Sequence, residues 1–491
     1  MEDRKMKKFT ALAIIAVIWT GMMPGIGWGV SESTADPANI AGIWLGVIKI
    51  PSGELRIAFE ISEAKESGYT AVIHSIDQGN KHIPASTVTM KGDSLRLEVK
   101  SLFAYEGRLQ TDGNIIDGNW IQGGLTPLVM KRVDKLPDIA PTNLNRPQDP
   151  QKPYPYIEEE VVYENIKAGV RLAGTLTIPR DKGPFPAVVL LTGSGEQNRN
   201  EESFSHRPFL VLADYLTRQG IAVLRADDRG VGGSTGDMTK STSGDYADDA
   251  LAGVEYLKGR KEIDAKRIGL VGHSEGGMMA PIAATQSTDV AFIVMLAGLG
   301  QRMADIIIFQ VLYEAKAQGA DENTLALKRS WYERFFALVA ENTDNAVAEE
   351  KIHALHATLT ADEKEKLCWQ DDKLADKLAE ELNPWWRYAM QYNPRATLMK
   401  VRCPVLALNG EKDMQVPAKE NLAAIEEALK AGGNTQFTVR ELPGLNHAFQ
   451  TAPPGMELEY FKIEETMSPL ALQTVSEWIR EQAVVKEVHA R

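Results

Sequence analysis

A serine between glycines, at the end of an apolar run, is the pattern in this chain best suited to covalent chemistry. The stretch Ile268-Gly269-Leu270-Val271-Gly272-His273-Ser274-Glu275-Gly276-Gly277 passes from strand-like residues into a small-residue segment, 278–284, of helical character. Strand, tight turn and helix with serine at the apex form a nucleophile elbow, whose strained turn lifts the hydroxyl clear of the backbone. Strand and helix pass closely only if the positions two before and two after the serine are small, and Gly272 and Gly276 supply both. The five-residue pattern recurs at Gly232-Gly233-Ser234-Thr235-Gly236. Ser234 follows the polar stretch Asp227-Asp228-Arg229-Gly230 and no helix begins after it, so Ser274 is the candidate nucleophile.

A serine hydroxyl needs a base to take its proton, and the base needs a third group to hold its tautomer. On a strand–helix scaffold of this kind the order along the chain is serine, acid, histidine. Of the eight histidines only His447 and His489 lie late enough, and His489 sits three residues from the end. His447, in the loop Gly444-Leu445-Asn446-His447-Ala448-Phe449 after a predicted strand, is the candidate base. The acid belongs in the loop after Val405–Leu408, which reads Asn409-Gly410-Glu411-Lys412-Asp413-Met414-Gln415-Val416-Pro417. Asp413 is the first choice there and Glu411 the alternative. A tetrahedral intermediate also needs two backbone donors for its oxyanion. The amide of Glu275 is one; the other belongs to the loop Thr192-Gly193-Ser194-Gly195, at Ser194 with Gly195 as the alternative. Glu196-Gln197-Asn198-Arg199 either touches substrate or is solvated, and Arg229 reads as an ion-pair brace for its loop.

No cluster of His, Cys and carboxylate has metal spacing, and no glycine-rich turn follows the first predicted strand of the strand–helix region, so no cofactor and no metal is expected. The net charge of −13 argues against a nucleic-acid or anionic-membrane partner.

The elements that must position these residues fall into two regions. Residues 36–135 alternate apolar and polar positions, as at Leu55-Ile57-Phe59-Ile61 and Leu95-Leu97-Val99, with turn signals between. About eight strands and no convincing helix predict a small all-β domain, a barrel or a sandwich, with Trp44 and Trp120 filling its interior. Residues 136–156 carry six prolines and read as a semi-extended linker. From 157 to the end strands alternate with helices, near 159–165, 170–178, 186–192, 221–226, 267–272, 291–297, 404–409 and 436–441 for the strands. That rhythm requires an α/β fold with a mainly parallel sheet covered on both faces. It is broken at about 300–400 by amphipathic helices, read as a cap over the carboxyl edge of the sheet. The aromatics of Pro384-Trp385-Trp386-Arg387-Tyr388 either pack cap onto core or line an acyl pocket.

Residues 1–35 combine Lys7-Lys8, the apolar run Phe9–Trp19 and a small-residue end, the layout of a signal peptide cleaved after Gly29 or Ala35, with an uncleaved anchor as the alternative. Met6 is an alternative start. The protein is therefore expected to be exported, periplasmic or extracellular, with no membrane association beyond the export signal. Two cysteines, Cys368 and Cys403, do not make a disulfide framework, and Cys403 reads as a buried free thiol.

The motifs LLTGSGEQNRNEE (190–202), AVLRADDRGVGGSTGD (222–237), GLVGHSEGG (269–277), PVLALNGEKDMQVP (404–417) and GLNHAFQ (444–450) occur in this order, and the segment they span resembles the α/β-hydrolase superfamily. It resembles most the exported bacterial carboxylesterases related to prolyl-oligopeptidase and aminopeptidase-type serine hydrolases. Thr192-Gly193 stands where those sequences carry His-Gly before the oxyanion loop. The resemblance implies Ser274, Asp413 and His447 as a catalytic triad and a small-molecule ester as substrate. The expected activity is a serine carboxylesterase acting on short or medium acyl esters through an acyl-enzyme. A serine peptidase with the same triad, aminopeptidase- or dipeptidyl-peptidase-like, is the alternative, and a carbohydrate- or wall-binding role for the β-rich front domain is a third reading.

Overall fold

The computed structural model describes residues 39–488 apart from 51–52, 65–67, 77–80, 100–102, 122–124, 137–144, 318, 372–373, 455–459 and 461. The expected signal segment, the linker prolines Pro137 and Pro141, and His489 lie outside the described residues.

The front region is one antiparallel sheet of nine strands among the described residues, one more than expected. They are β1 (Gly42–Ile50), β2 (Gly53–Glu63), β3 (Tyr69–Ser75), β4 (Lys81–Pro84), β5 (Thr87–Lys91), β6 (Ser94–Val99), β7 (Phe103–Leu109), β8 (Ile115–Ile121) and β9 (Leu125–Val133), in the order β4-β3-β2-β1-β9-β8-β7-β6-β5. The two edge strands are joined by Ala85-Ser86 alone, so the sheet must curl until its edges meet. The amide of Ala85 donates to the Ala71 carbonyl and that of Ser86 to the Glu98 carbonyl, both at 2.8 Å. Period-two alternation turns Phe59, Ile73, Leu95, Leu97 and Tyr105 inward, where they are buried with Trp44 and Trp120. The Trp44 indole donates to the Ile40 carbonyl at 2.8 Å and the Tyr105 hydroxyl reaches the Ile116 and Leu128 carbonyls at 3.1 Å, so the polar tips of these large rings are satisfied inside.

The described half of the proline-rich stretch is irregular, as its composition demands, but it is docked rather than free. Arg146 donates to the carbonyls of Phe204, Ser205 and Ile463, and Gln148 accepts from the amides of Thr466 and Met467. Backbone groups that loops leave without partners are thus answered by linker side chains.

The second sheet has, among the described residues, eight strands: β10 (Ile157–Asn165), β11 (Val170–Ile178), β12 (Phe185–Leu191), β13 (Ala222–Ala226), β14 (Ile263–His273), β15 (Ile293–Leu296), β16 (Val405–Gly410) and β17 (Phe437–Leu442). Their order is β10-β11-β13-β12-β14-β15-β16-β17, antiparallel through β10, β11 and β13 and parallel from β13 onward. In β12 the side chains divide by parity. Ala187, Val189 and Leu191 join the core under the helices Ser243–Lys258 and Glu275–Gln286, whereas Val188 and Leu190 join the core under Pro208–Arg218 and Pro469–Val488. Burial of both faces explains why the central strands read as unbroken apolar runs.

Between β15 and β16 the described residues form six helices from Met303 to Gln391 and a short seventh at Pro394–Leu398. Their center is aromatic: Trp369 meets Trp331 at 4.9 Å and Phe335 at 4.8 Å between ring centroids. No helix among the described residues is long and apolar enough to cross a membrane. Neither cysteine is in a disulfide, and Cys403 is half-buried, not buried as expected, because only its neighbours from Pro404 onward enter the sheet interior.

Candidate active site

The register of β12, β14, β15, β16 and β17 brings their carboxyl ends to one rim, with Leu191 opposite Gly272, His273 opposite Leu296, and Gly410 opposite Leu442. The chain connects β12 outward to β13 on one side while β14 lies on the other, the kind of switch point at which open α/β sheets bind ligands.

Ser274 leaves β14 with φ 53° and ψ −114°, a left-handed backbone that an L-residue adopts only when its surroundings impose it. Its amide donates to the Leu296 carbonyl at 2.8 Å and its carbonyl accepts from Gly277 at 3.0 Å, so strand and helix hold the turn from both sides. The two glycines are needed for close approach. A Cβ on Gly272 would lie 2.0 Å from the Gly276 carbonyl oxygen, and one on Gly276 would lie 2.1 Å from that of Leu191. Gly276→Ala should therefore cost about 3 kcal/mol or more of unfolding free energy in urea titrations, because backbone rather than a flexible side chain must give way.

His447 and Asp413 come together from different loops. The imidazole Nδ1 donates to Asp413 Oδ2 at 2.8 Å, and both side chains are buried. Asp413 Oδ1 accepts from the amides of Gln415 and Val416, each at 2.8 Å, which fixes the carboxylate plane. Glu411, the other acid considered, points elsewhere and accepts from the Gly444 amide at 2.9 Å. The turn carrying His447 is closed by Asn446 and Gln450. The Gln450 amide donates to Asn446 Oδ1 at 2.9 Å, and the Gln450 side chain reaches His206 and the Glu465 carbonyl, each at 2.9 Å. Burial, with the Arg146 charge next, lowers the His206 pKa to about 4, so this brace is neutral at ordinary pH.

The loop after β12 lies against the serine: a Cβ on Gly193 would stand 3.4 Å from that of Ser274. The Gly193 amide is committed to Glu201 Oε1 at 2.6 Å, which leaves the amides of Ser194 and Gly195, the latter with φ 95°, as the candidate donors of this loop. Glu275 opens the helix Glu275–Gln286, and first-turn amides of a helix have no partner within it. Its side chain does something the sequence did not suggest. The buried carboxylate accepts from Ser243 Oγ at 2.6 Å and from the Trp385 indole at 2.7 Å. Burial pushes its pKa up although all these bonds favour the ionised form. Trp385 thus ties cap to elbow, while its neighbour Trp386 is buried in the cap against Phe336.

A cleft of about 580 Å³, counted with its open mouth, adjoins this point and is lined by Gly193, Ser194, Asp228, Tyr246, Glu275 and Trp385, among others. Asp228 accepts from Thr192 Oγ1 at 2.8 Å, and its pKa is raised well above the carboxylate range by burial and by the nearby charges of Glu275 and Glu201. The neighbouring charges are braces. Asp227 binds Arg199 through its side chain and amide, Arg229 forms a buried pair with Asp249, and Ser234 spends its hydroxyl on the Asp227 carbonyl at 2.7 Å. Among the described residues no group of three or more His, Cys, Asp or Glu is placed to hold a metal ion.

Several known proteins are similar to this chain. Over 158 residues, 32% of this chain and 38% of the relative, the sequence is 34% identical to the esterase EstD of Thermotoga maritima, so the match spans less than half of that protein. An uncharacterized 31.7 kDa protein of Escherichia coli is 24% identical over 56% of this chain and 87% of its own. Among solved structures, Est1E of Butyrivibrio proteoclasticus with bound ferulic acid superposes with a TM-score of 0.40 at 19% identity, over 66% of this chain and 99% of that one. The Pyrococcus furiosus esterase Pf2001 gives a TM-score of 0.38 at 18% identity, over 71% and 97%. The X-Pro dipeptidyl-peptidase (S15) family matches residues 168–441, which include Ser274 and Asp413 and end before His447. That match covers more than half of the chain, and the protein accordingly belongs to the X-Pro dipeptidyl-peptidase (S15) family of serine hydrolases with the α/β-hydrolase fold.

Proposed function

We propose that the chain is an exported carboxylic-ester hydrolase that cleaves short and medium acyl esters of small molecules through an acyl-enzyme on Ser274. The observation that carries this reading is the buried His447–Asp413 pair at 2.8 Å, held against the serine turn by the hydrogen bond between His273 Nε2 and the His447 carbonyl at 3.0 Å. His447 takes the Ser274 proton as the oxygen attacks the ester carbonyl, then returns it to the departing alcohol. Asp413 keeps the imidazole proton on Nδ1 and stabilises the imidazolium. The amides of Glu275 and of Ser194 or Gly195 receive the oxyanion. Water, activated by the same imidazole, then releases the acid. Export rests on the charged start and apolar middle of residues 1–35.

The peptidase reading is favoured by the family's own description, which names an X-Pro dipeptidyl-peptidase. Against it stands Glu275, the residue directly after the nucleophile: two hydrogen bonds, from Ser243 and Trp385, already engage its carboxylate, which suits it poorly to a substrate amino terminus. Parallel kcat/KM measurements on p-nitrophenyl acyl esters and aminoacyl p-nitroanilides separate the two. Higher values on the esters are expected, and higher values on the anilides would replace this reading with the peptidase. A fluorophosphonate probe should label Ser274. Label on Ser234, whose hydroxyl is buried and donates to a backbone carbonyl, would show that the nucleophile has been misassigned.

A further inference from the structure

Glu201 is buried and His273 half-buried beside the nucleophile, and of the two the mechanism above uses only the His273 bond to the His447 carbonyl. Glu201 sits at φ 51°, is 6% exposed, and directs Oε1 at both the Gly193 amide, at 2.6 Å, and His273 Nδ1, at 2.9 Å. The opposite nitrogen of the same ring, Nε2, lies 3.0 Å from the His447 carbonyl oxygen. A backbone carbonyl only accepts, so Nε2 must carry a proton. An ionised carboxylate also only accepts, so the contact at Nδ1 needs a second one. The pair therefore holds one proton more than a neutral histidine beside a carboxylate, placed on the line between Nδ1 and Oε1.

We propose that Glu201 and His273 act as a positioning pair, whose shared proton locks the oxyanion loop at Gly193 and the His447 loop to the nucleophile turn. The pair sets where the His447 imidazole stands relative to Ser274. The inference rests on the reading of His447 as the base. Three loops that carry separate parts of the site, those after β12, β14 and β17, meet at these two side chains. A loss at either should misplace the base without removing it.

The charged and titratable groups facing His273 are Glu201 from the loop after β12, His447, whose ring centroid is 4.9 Å away, from the loop after β17, and Asp413 from the loop after β16. Asp228 stands near Glu201. Burial opposes protonation of His273, but the charge and hydrogen bond of Glu201, the His447 carbonyl and the Asp413 charge outweigh it and raise the pKa to about 8. As the pH rises through that value one N–H is left to serve two acceptors, and one loop is released.

The test is kcat and KM on a p-nitrophenyl ester from about pH 6 to about pH 10 for the parent, Glu201→Gln, His273→Gln and His447→Ala. The parent kcat should fall on an alkaline limb near pH 8. Glu201→Gln keeps an acceptor for Gly193 but cannot share a proton. Its kcat at neutral pH should drop about ten- to hundredfold with KM nearly unchanged, and its alkaline limb should vanish. His273→Gln should lose a comparable factor. If both glutamine variants unfold at lower temperature but keep the parent kcat and pH profile, the pair is structural only and the proposal falls. A parent kcat that stays level above pH 8 overturns it whether or not the variants fold. His447→Ala distinguishes the two readings. Parent-like turnover there removes the base assignment itself, whereas an inactive His447→Ala beside a normal Glu201→Gln removes only the positioning pair.

Discussion

Ser274→Ala should lower turnover by about a millionfold and leave the folded structure intact. The turn is imposed by the main chain, through the Ser274 amide on the Leu296 carbonyl and the close passage of Gly272 and Gly276, and alanine meets the same positive φ at no greater cost than serine. The serine side chain also makes no capping hydrogen bond to the helix it precedes. What disappears is the hydroxyl on which the proposed acyl-enzyme forms. Whatever rate survives comes from oxyanion amides and substrate binding, which persist in the variant. The check is steady-state turnover of a p-nitrophenyl ester beside a urea unfolding curve: parent-like turnover in the folded variant would remove the mechanism.

Asp413→Asn should cost about ten-thousandfold in kcat with little change in KM. The reason is a tautomer dictated by the surrounding amides. Oδ1 accepts from the amides of Gln415 and Val416, so an asparagine must keep its oxygen there and turn its NH₂ toward His447. The ring nitrogen now bonded to Oδ2 at 2.8 Å would have to accept, which moves the imidazole proton to Nε2. That nitrogen can then no longer take a proton from serine. A variant with parent kcat at neutral pH would show that Asp413 does not hold the base.

These two substitutions concern residues legible in the sequence, and the reason is local. A nucleophile elbow is a contiguous pattern, because strand, turn and helix are consecutive and the glycines around Ser274 must be where strand and helix cross. His447 and Asp413 follow from topology: each occupies a loop directly after a strand, and apolar runs such as Val405–Leu408 mark those strands through their burial on both faces. The α/β sheet and the helical insertion were readable for the same reason, since periodicity is a property of neighbours along the chain.

Contacts made at a distance were not readable. Glu201 lies inside a recognised motif, yet nothing in Asn198-Arg199-Asn200-Glu201-Glu202 tells which glutamate turns inward; a left-handed residue and the packing of three loops select Glu201. The sequence singles out Glu275 for its amide, while its carboxylate joins Ser243 and Trp385, residues separated from it by long stretches of chain. The front strands were foreseen as a barrel or a sandwich, and only the two-residue step between β4 and β5 closed the choice toward a curled sheet. Composition likewise made the proline-rich stretch a spacer, whereas Arg146 and Gln148 dock it onto the loops near His206. The order of residues along the chain was enough to set the repeating elements and the chemistry of the candidate residues, because steric period and side-chain type are local. Tertiary structure alone decided which buried polar groups face each other, because a desolvated donor or acceptor must find its partner wherever the fold brings one.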